Sequence, residues 1–404
     1  MNYLLTKHNI DDVFRNFTET DSLTICKDFP EKYTPSIIRL LSFSEKPINI
    51  EYQYSKEKIP YKKYKSYSKI YKFKCPKILH YIGTKKPSKY GQYRRENLNK
   101  FLKKNYKLVD TVFANTKTRS YIRMLDRKYN IIFTSRNTSG FILSLKAKAD
   151  NCKLIYDRSD YYEIKSENDK ILGEYLQRNA NKIVTFEKLS KTLVSDIDKN
   201  KIIFTTNGTN VKPIKPVKKF KKDTAIICGI PWEIDIDALE NIILKNQDYN
   251  FIYYSLHKKT SPSVNEINRL SKKYLNFKVY ESVNEKKLFK LARRCKIGLV
   301  LNKKDDFNIH RYPLKFLLYS NALIPTAFTN CLELERYDKY TSVLFATKID
   351  TTSFHKMKKL RSIYKEYCDK IYDCESPKNI GAIRIILSNI INWDRIFKVV
   401  IDKI

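Results

Sequence analysis

No stretch of eighteen or more apolar residues occurs in this chain, so no membrane-spanning helix is expected. The first residues, Met1 to His8, lack the long apolar segment of a signal peptide, and none is read there. The eight cysteines (Cys26, Cys75, Cys152, Cys228, Cys295, Cys331, Cys368, Cys374) include no CxxC pair. Several sit inside apolar runs, so reduced core thiols are expected, not zinc ligands or disulfides. Together these absences fit a cytoplasmic protein. No glycine-rich phosphate loop follows the first strand, and no Walker loop, HExxH or Ser-His-Asp order occurs. Acids are the most telling shortage. Asp+Glu 43 against Lys+Arg 79 leaves a net charge of +36. Lysine codon bias in an AT-rich genome raises Lys but does not deplete acids. A field of this size favours a polyanionic partner: nucleic acid, anionic lipid or a phosphate-rich polymer.

What is present reads as a folded α/β chain. The 404 residues are enough for two domains with cores of their own, and 42% hydrophobic content argues against disorder. Strand and helix patterns alternate from residue 22 to about 205. Residues 211–222 carry Pro213, Pro216 and six lysines and read as an interdomain linker. The alternation then restarts at the strand 224–229. Two half-chains of this kind describe two Rossmann-like domains facing a central cleft. The expected boundaries are 1–212, 213–385, and a last helix, 386–404, crossing back to the first domain.

One stretch departs from the average. Residues 55–107 hold eighteen Lys or Arg against two acids, Glu57 and Glu96, with tyrosines interleaved. It reads either as a solvated basic surface with tyrosines facing the core, or as a polyanion track in which lysines neutralise phosphates and tyrosines stack. Lys62, Lys63, Lys85, Lys86, Arg94 and Arg95 are the candidate acceptor-binding residues there. Asp196-x-Asp198 and Asp235-x-Asp237 could hold Mg²⁺ and a diphosphate, but both pairs fall at helix ends, where capping is the expected role, and no metal site is expected.

The second half centres on an apolar strand, 297–301, a polar loop, and His310-Arg311-Tyr312-Pro313-Leu314-Lys315 at a helix start. Pro313 suits the first helical turn. Strand, loop and helix N-terminus make a place for an anion, with His310, Arg311 and Lys315 beside it. The plain alternative is an ordinary strand-to-helix unit with basic surface residues. Pro313-Leu314-Lys315, Tyr319, Ala322 and Pro325 resemble, in register, the donor segment PLK-x-x-EY-x-A-x-G-x-P of GT-B glycosyltransferases of the family-4 type. Leu318 stands at the glutamate position, Leu323 at the glycine position, and His310 where a second acid often lies. Further motifs similar to the family's follow its order: Ile155-Tyr156-Asp157-Arg158-Ser159-Asp160, the strand after Ala180, Asn207-Gly208, Gly229, and Trp393. The basic pair that many members carry after the strand ending at Gly229 is replaced by Glu233, Asp235 and Asp237.

The resemblance implies a retaining, metal-independent glycosyltransferase that needs no cofactor and takes a nucleotide diphosphate sugar as donor. It puts Gly229, His310, Arg311, Lys315 and Tyr319 on the donor side and Asp160 on the acceptor side, with Asp160 and His310 as catalytic candidates. With the charge, the expected acceptor is a polyanion. DNA with hydroxymethylated bases, as made by some bacteriophages, comes first, and teichoic acid or surface polysaccharide built at an anionic membrane second. A non-catalytic polyanion-binding protein on a decayed GT-B scaffold is the alternative. The expected location is the cytoplasm, the membrane periphery, or an infected host cell.

Overall fold

The computed structural model describes residues 2–5, 22–25, 49–52, 55–59, 76–82, 93–113, 127–135, 137–161, 166–210, 212, 218–255, 262–281, 283–338, 344–370 and 377–404. Two compact units emerge: Met1–Thr185 with Ser190–Phe204 and Lys403–Ile404, and Thr205–Asp402 with Phe186–Leu189.

Among its described residues the first unit has two sheets. Strands β1 (Asn2–Leu5), β2 (Ser22–Ile25) and β3 (Asn49–Tyr52) run parallel, and β4 (Ser55–Ile59) pairs antiparallel with β3. Strands β5 (Lys77–Ile82), β6 (Leu108–Phe113), β7 (Ile131–Thr134), β8 (Lys153–Arg158), β9 (Lys182–Thr185) and β10 (Ile202–Phe204) form an all-parallel sheet of order β10-β9-β8-β7-β5-β6. Helices α1 (Tyr93–Asn105), α2 (Asn137–Asp150) and α3 (Glu167–Asn179) serve as crossovers. The inner strands read as unbroken apolar runs because both faces are covered; Ile132, Phe133, Leu154, Ile155, Tyr156, Ile183 and Val184 are all buried. Ser166 caps α3 by accepting a hydrogen bond from Asp169 N at 3.1 Å. A buried ion pair, Lys146 to Asp150 at 2.5 Å, closes the last turn of α2.

The second unit is one all-parallel sheet with its helices. Its strands are β11 (Thr224–Gly229), β12 (Asn250–Ser255), β13 (Phe277–Tyr280), β14 (Ile297–Val300), β15 (Thr326–Phe328) and β16 (Ala346–Lys348), in the order β13-β12-β11-β14-β15-β16. The chain leaves β11 for one side of the sheet and returns to β14 on the other. The crevice between their carboxyl ends is therefore a topological switch point, where open parallel sheets take ligands. Helices α4 (Ile236–Lys245), α5 (Pro262–Lys273), α6 (Glu285–Ala292), α7 (Asp306–Ile309), α8 (Leu314–Asn321), α9 (Glu335–Asp338), α10 (Leu360–Lys370), α11 (Pro377–Ile391) and α12 (Trp393–Asp402) complete the unit. The turn at Asn207-Gly208 is clamped by the chain's end: Thr209 N donates to Ile391 O at 2.7 Å. A Cβ on Gly208 would stand 2.8 Å from the Trp393 ring, so the absence of a side chain there lets the indole close over the turn.

The alternation read from the sequence is present, and the fold is α/β. Elements that pattern did not give include β1, β4, β5 and α1, the three-residue strands β15 and β16, the one-turn helices α7 and α9, and α10. The shortest span too few residues to show a period, and β4, β5 and α1 lie in the Lys/Tyr-rich stretch, where charged side chains blur one. Asp235 and Asp198 are caps, accepting from Ala238 N at 2.9 Å and Asn200 N at 2.8 Å. Among the described residues no cluster of His, Cys, Asp or Glu could hold a metal ion, and no helix is long and apolar enough to cross a membrane.

Candidate functional site

The switch point of the second unit gathers the charged residues picked out by sequence. β11 ends at Gly229, and Lys315, in the first turn of α8, reaches across to it. The Lys315 Nζ lies 3.2 Å from the place a Cβ on Gly229 would take, so the glycine makes the room the ammonium occupies. Lys315 is half-buried as a residue, but its Nζ is buried and has no hydrogen-bond partner among the described residues. Burial pulls this ammonium below the usual lysine range, while the neighbouring Glu233 carboxylate opposes the shift and Arg311 adds to it. A buried cation without a partner is costly, and a donor-rich helix start beside it offers further N–H groups. The arrangement favours an anion bound between β11 and α8.

Arg311 is held on three sides. Its guanidinium makes a very short ion pair with Glu233 and stacks on Phe307 at 4.9 Å, and its carbonyl accepts from Cys331 Sγ at 3.3 Å. Glu233 belongs to the 3-10 turn Pro231–Glu233 that follows β11. His310 closes α7 with φ −93° and ψ 0°, and it is half-buried. α7 itself is fixed by Asp305, which accepts from Asn308 N at 2.8 Å. Pro313 is the N-cap of α8 rather than its first turn, with ψ 118°; the helix begins one residue later than its proline predicts.

Tyr319 is placed differently from its neighbours. It is fully buried, and its hydroxyl meets Cys228 Sγ at 3.3 Å and Leu299 O at 3.4 Å. Its ring lies on Gly298, where a Cβ would come within 2.2 Å. Tyr319 thus seats α8 on the sheet, beneath the crevice.

In the first unit, the motif after β8 is largely occupied with structure. Arg94 Nε donates to both carboxylate oxygens of Asp157 at 3.0 Å, and both residues are buried. Arg158 donates to Thr192 Oγ1 at 2.9 Å and lies over Tyr161. Asp160 is half-exposed just beyond the strand's carboxyl end, six residues before the Ser166 cap, so the helix cap is not its role. Arg94 and Arg95 are 7% and 5% exposed and lie under the surface of the unit. Lys62, Lys63, Lys85 and Lys86 lie outside the described residues.

Sequence reasoning did not find the Glu233–Arg311 pair, because 78 residues separate its members and only the fold joins them. It also did not find Glu333, a buried carboxylate of the second unit. Glu333 accepts from Lys188 N at 2.6 Å and Leu189 N at 3.2 Å, and burial pushes its pKa up.

No family model matches the chain, and no curated protein matches it by sequence. Solved structures do match by shape. HepE of Anabaena, solved in complex with UDP-glucose, is 10% identical with a TM-score of 0.55, the match covering 81% of this chain and 99% of that one. Sucrose-phosphate synthase of Thermosynechococcus elongatus is 11% identical with a TM-score of 0.58, over 79% and 96% of the two chains. The lipopolysaccharide outer core galactosyltransferase WaaB is 10% identical with a TM-score of 0.54, over 81% and 100%. At this identity the likeness carries the fold, and the fold is GT-B: α/β, with two Rossmann-like units.

Proposed function

We propose that the chain is a retaining glycosyltransferase that takes its sugar from a nucleoside diphosphate sugar and works without a tightly bound metal. The observation that carries this reading is the buried, unpartnered Lys315 ammonium at the β11/β14 switch point, beside the α8 N-terminus. In such a site the work is positioning and charge stabilisation. Lys315, Arg311 and the α8 N–H groups would hold the diphosphate, so that the negative charge developing on the leaving group is met as the bond to the sugar's C1 breaks. His310 would face the transferred sugar, and Asp160 the acceptor. The GT-B structures support the reading by fold, and HepE's complex with UDP-glucose shows the kind of donor one such protein binds.

The net charge of +36 supports a polyanionic acceptor, met by Lys62, Lys63, Lys85 and Lys86. DNA with hydroxymethylated bases is the first candidate, and teichoic acid or a surface polysaccharide built at an anionic membrane the second. A non-catalytic polyanion binder is the rival reading, favoured by Leu318 and Leu323 at positions where the resemblance has Glu and Gly.

A panel of UDP-, GDP-, ADP- and TDP-sugars, screened by thermal shift, tests the reading. One of them should raise the melting temperature, because a ligand that binds only the folded state must stabilise it. Lys315→Ala should abolish both that shift and sugar transfer while leaving the unliganded melting temperature unchanged or higher. Turnover equal to wild type in Lys315→Ala would remove Lys315 from the mechanism, and silence across the panel would favour the rival.

A further inference from the structure

The proposed donor site carries its own competitor. Three charges meet at the β11/β14 crevice: Lys315 and Arg311, which favour an anion, and Glu233, which does not. Glu233 is bound to Arg311 in an ion pair. Its carboxylate is mostly buried, with 14% side-chain exposure. Its negative charge opposes the effect of burial on Lys315. It sits on a turn closed by its own backbone and tied to the segment that follows β14: Ile234 N donates to Pro231 O at 3.2 Å, Asp235 N to Leu301 O at 3.1 Å, and Lys303 N to Glu233 O at 2.9 Å. The turn therefore holds the carboxylate on Arg311, within electrostatic reach of Lys315.

Resting on the donor-site reading, we propose that Glu233 is a built-in occupant of the diphosphate seat: it holds Arg311 until a nucleoside diphosphate displaces it. The physical logic is exchange of one anion for another. A diphosphate brings more negative charge and more acceptor oxygens than one carboxylate, so it can take Arg311 bidentately. Until then Glu233 screens the cations, so that single phosphates and other weak anions gain little. The device raises the threshold for occupancy, because a ligand must repel or dislodge the carboxylate before it gains the guanidinium. It also makes Arg311 a site of selection between diphosphates and monophosphates.

An alternative role for Glu233 is to position Arg311, and the two roles differ in sign. The measurement is calorimetric titration of UDP, GDP and ADP, and of the matching monophosphates, into wild type, Glu233→Gln and Arg311→Gln. Both substitutions break the same ion pair. A competitor predicts opposite effects: Glu233→Gln binds the preferred diphosphate about tenfold more tightly, since a nearby like charge is gone, whereas Arg311→Gln binds it more weakly. It also predicts that Glu233→Gln narrows the margin between diphosphate and monophosphate. Weaker or unchanged diphosphate binding in Glu233→Gln, with wild type still binding, overturns the competitor role alone. Absence of diphosphate binding in both wild type and Glu233→Gln overturns this proposal and the donor-site reading together. Melting of each unliganded variant shows that the sign is read on folded protein.

Discussion

His80 lies in the middle of β5 at 2% exposure, its ring edge-on to Phe133 with centroids 6.2 Å apart. Burial drives its pKa down to about 3, against a hydrogen bond with Asn99 that favours the charged form, and Arg95 and Lys103 push it further down. The unfolded chain takes up this proton near pH 6.5. Between about pH 6.5 and 3 the unfolded state therefore binds more protons than the folded one, and stability falls as pH falls. The loss is roughly 1.4 kcal/mol per pH unit once the window is entered. His80→Gln removes the titrating group from both states. Its urea midpoint should fall less steeply with acid than that of wild type, by about one proton's worth of slope. Equal slopes in the two proteins would show that the acid sensitivity lies elsewhere.

α8 shows how much an element's sequence discloses and where it stops. Its C-terminus is a Schellman turn: Ile324 N donates to Tyr319 O at 3.2 Å and Leu323 N to Ser320 O at 3.1 Å. The residue after the cap must then be left-handed, and Leu323 is, with φ 55°. A glycine takes this conformation without strain, whereas a leucine's Cβ crowds the following carbonyl at a cost of roughly 1–2 kcal/mol. The half-buried leucine side chain offsets part of that by its packing. Comparing two truncations separates strain from packing. Leu323→Ala loses the side chain and keeps the strain; Leu323→Gly loses both. The glycine variant should be more stable than the alanine variant by about 1 kcal/mol, reversing the usual penalty for glycine. An alanine variant as stable as the glycine one would mean that the turn relaxes around any residue. The sequence motif marked this position as a glycine site, and the backbone agrees. Strands β11, β12 and β14 of the second unit were legible for a different reason: buried parallel strands are continuous apolar runs with sharp ends. Tyr319 was legible as a motif residue but not in its role, because what it packs on, Gly298, belongs to a strand that precedes it by the loop and α7. The ion pair at the crevice left no trace in spacing, since spatial neighbours at a switch point come from different β–α units.

At the scale of the whole molecule the dominant quantity is charge. Every ion pair consumes one acid and one base, and 43 acids cannot offset 79 bases. Some of the basic residues are neutralised inside: Arg94 by Asp157, Lys146 by Asp150, Arg311 by Glu233. Each such pair is neutral, so the net +36 is carried by the remaining basic residues. A polyanion gains entropy by releasing its condensed counterions to such a chain, and that gain shrinks as salt rises. Duplex DNA should therefore bind at low salt and weaken linearly in log Kd against log salt concentration. Changing Lys62, Lys63, Lys85 and Lys86 to Glu should flatten the line by about one unit of slope for each phosphate no longer neutralised. Changing an equal number of exposed lysines of the second unit, such as Lys272, Lys286, Lys290 and Lys365, is the control for bulk charge alone. If the two quadruple variants flatten the line equally, the 55–107 stretch is not the track. If duplex DNA fails to bind at low salt while liposomes with anionic headgroups bind, the acceptor is at a membrane surface.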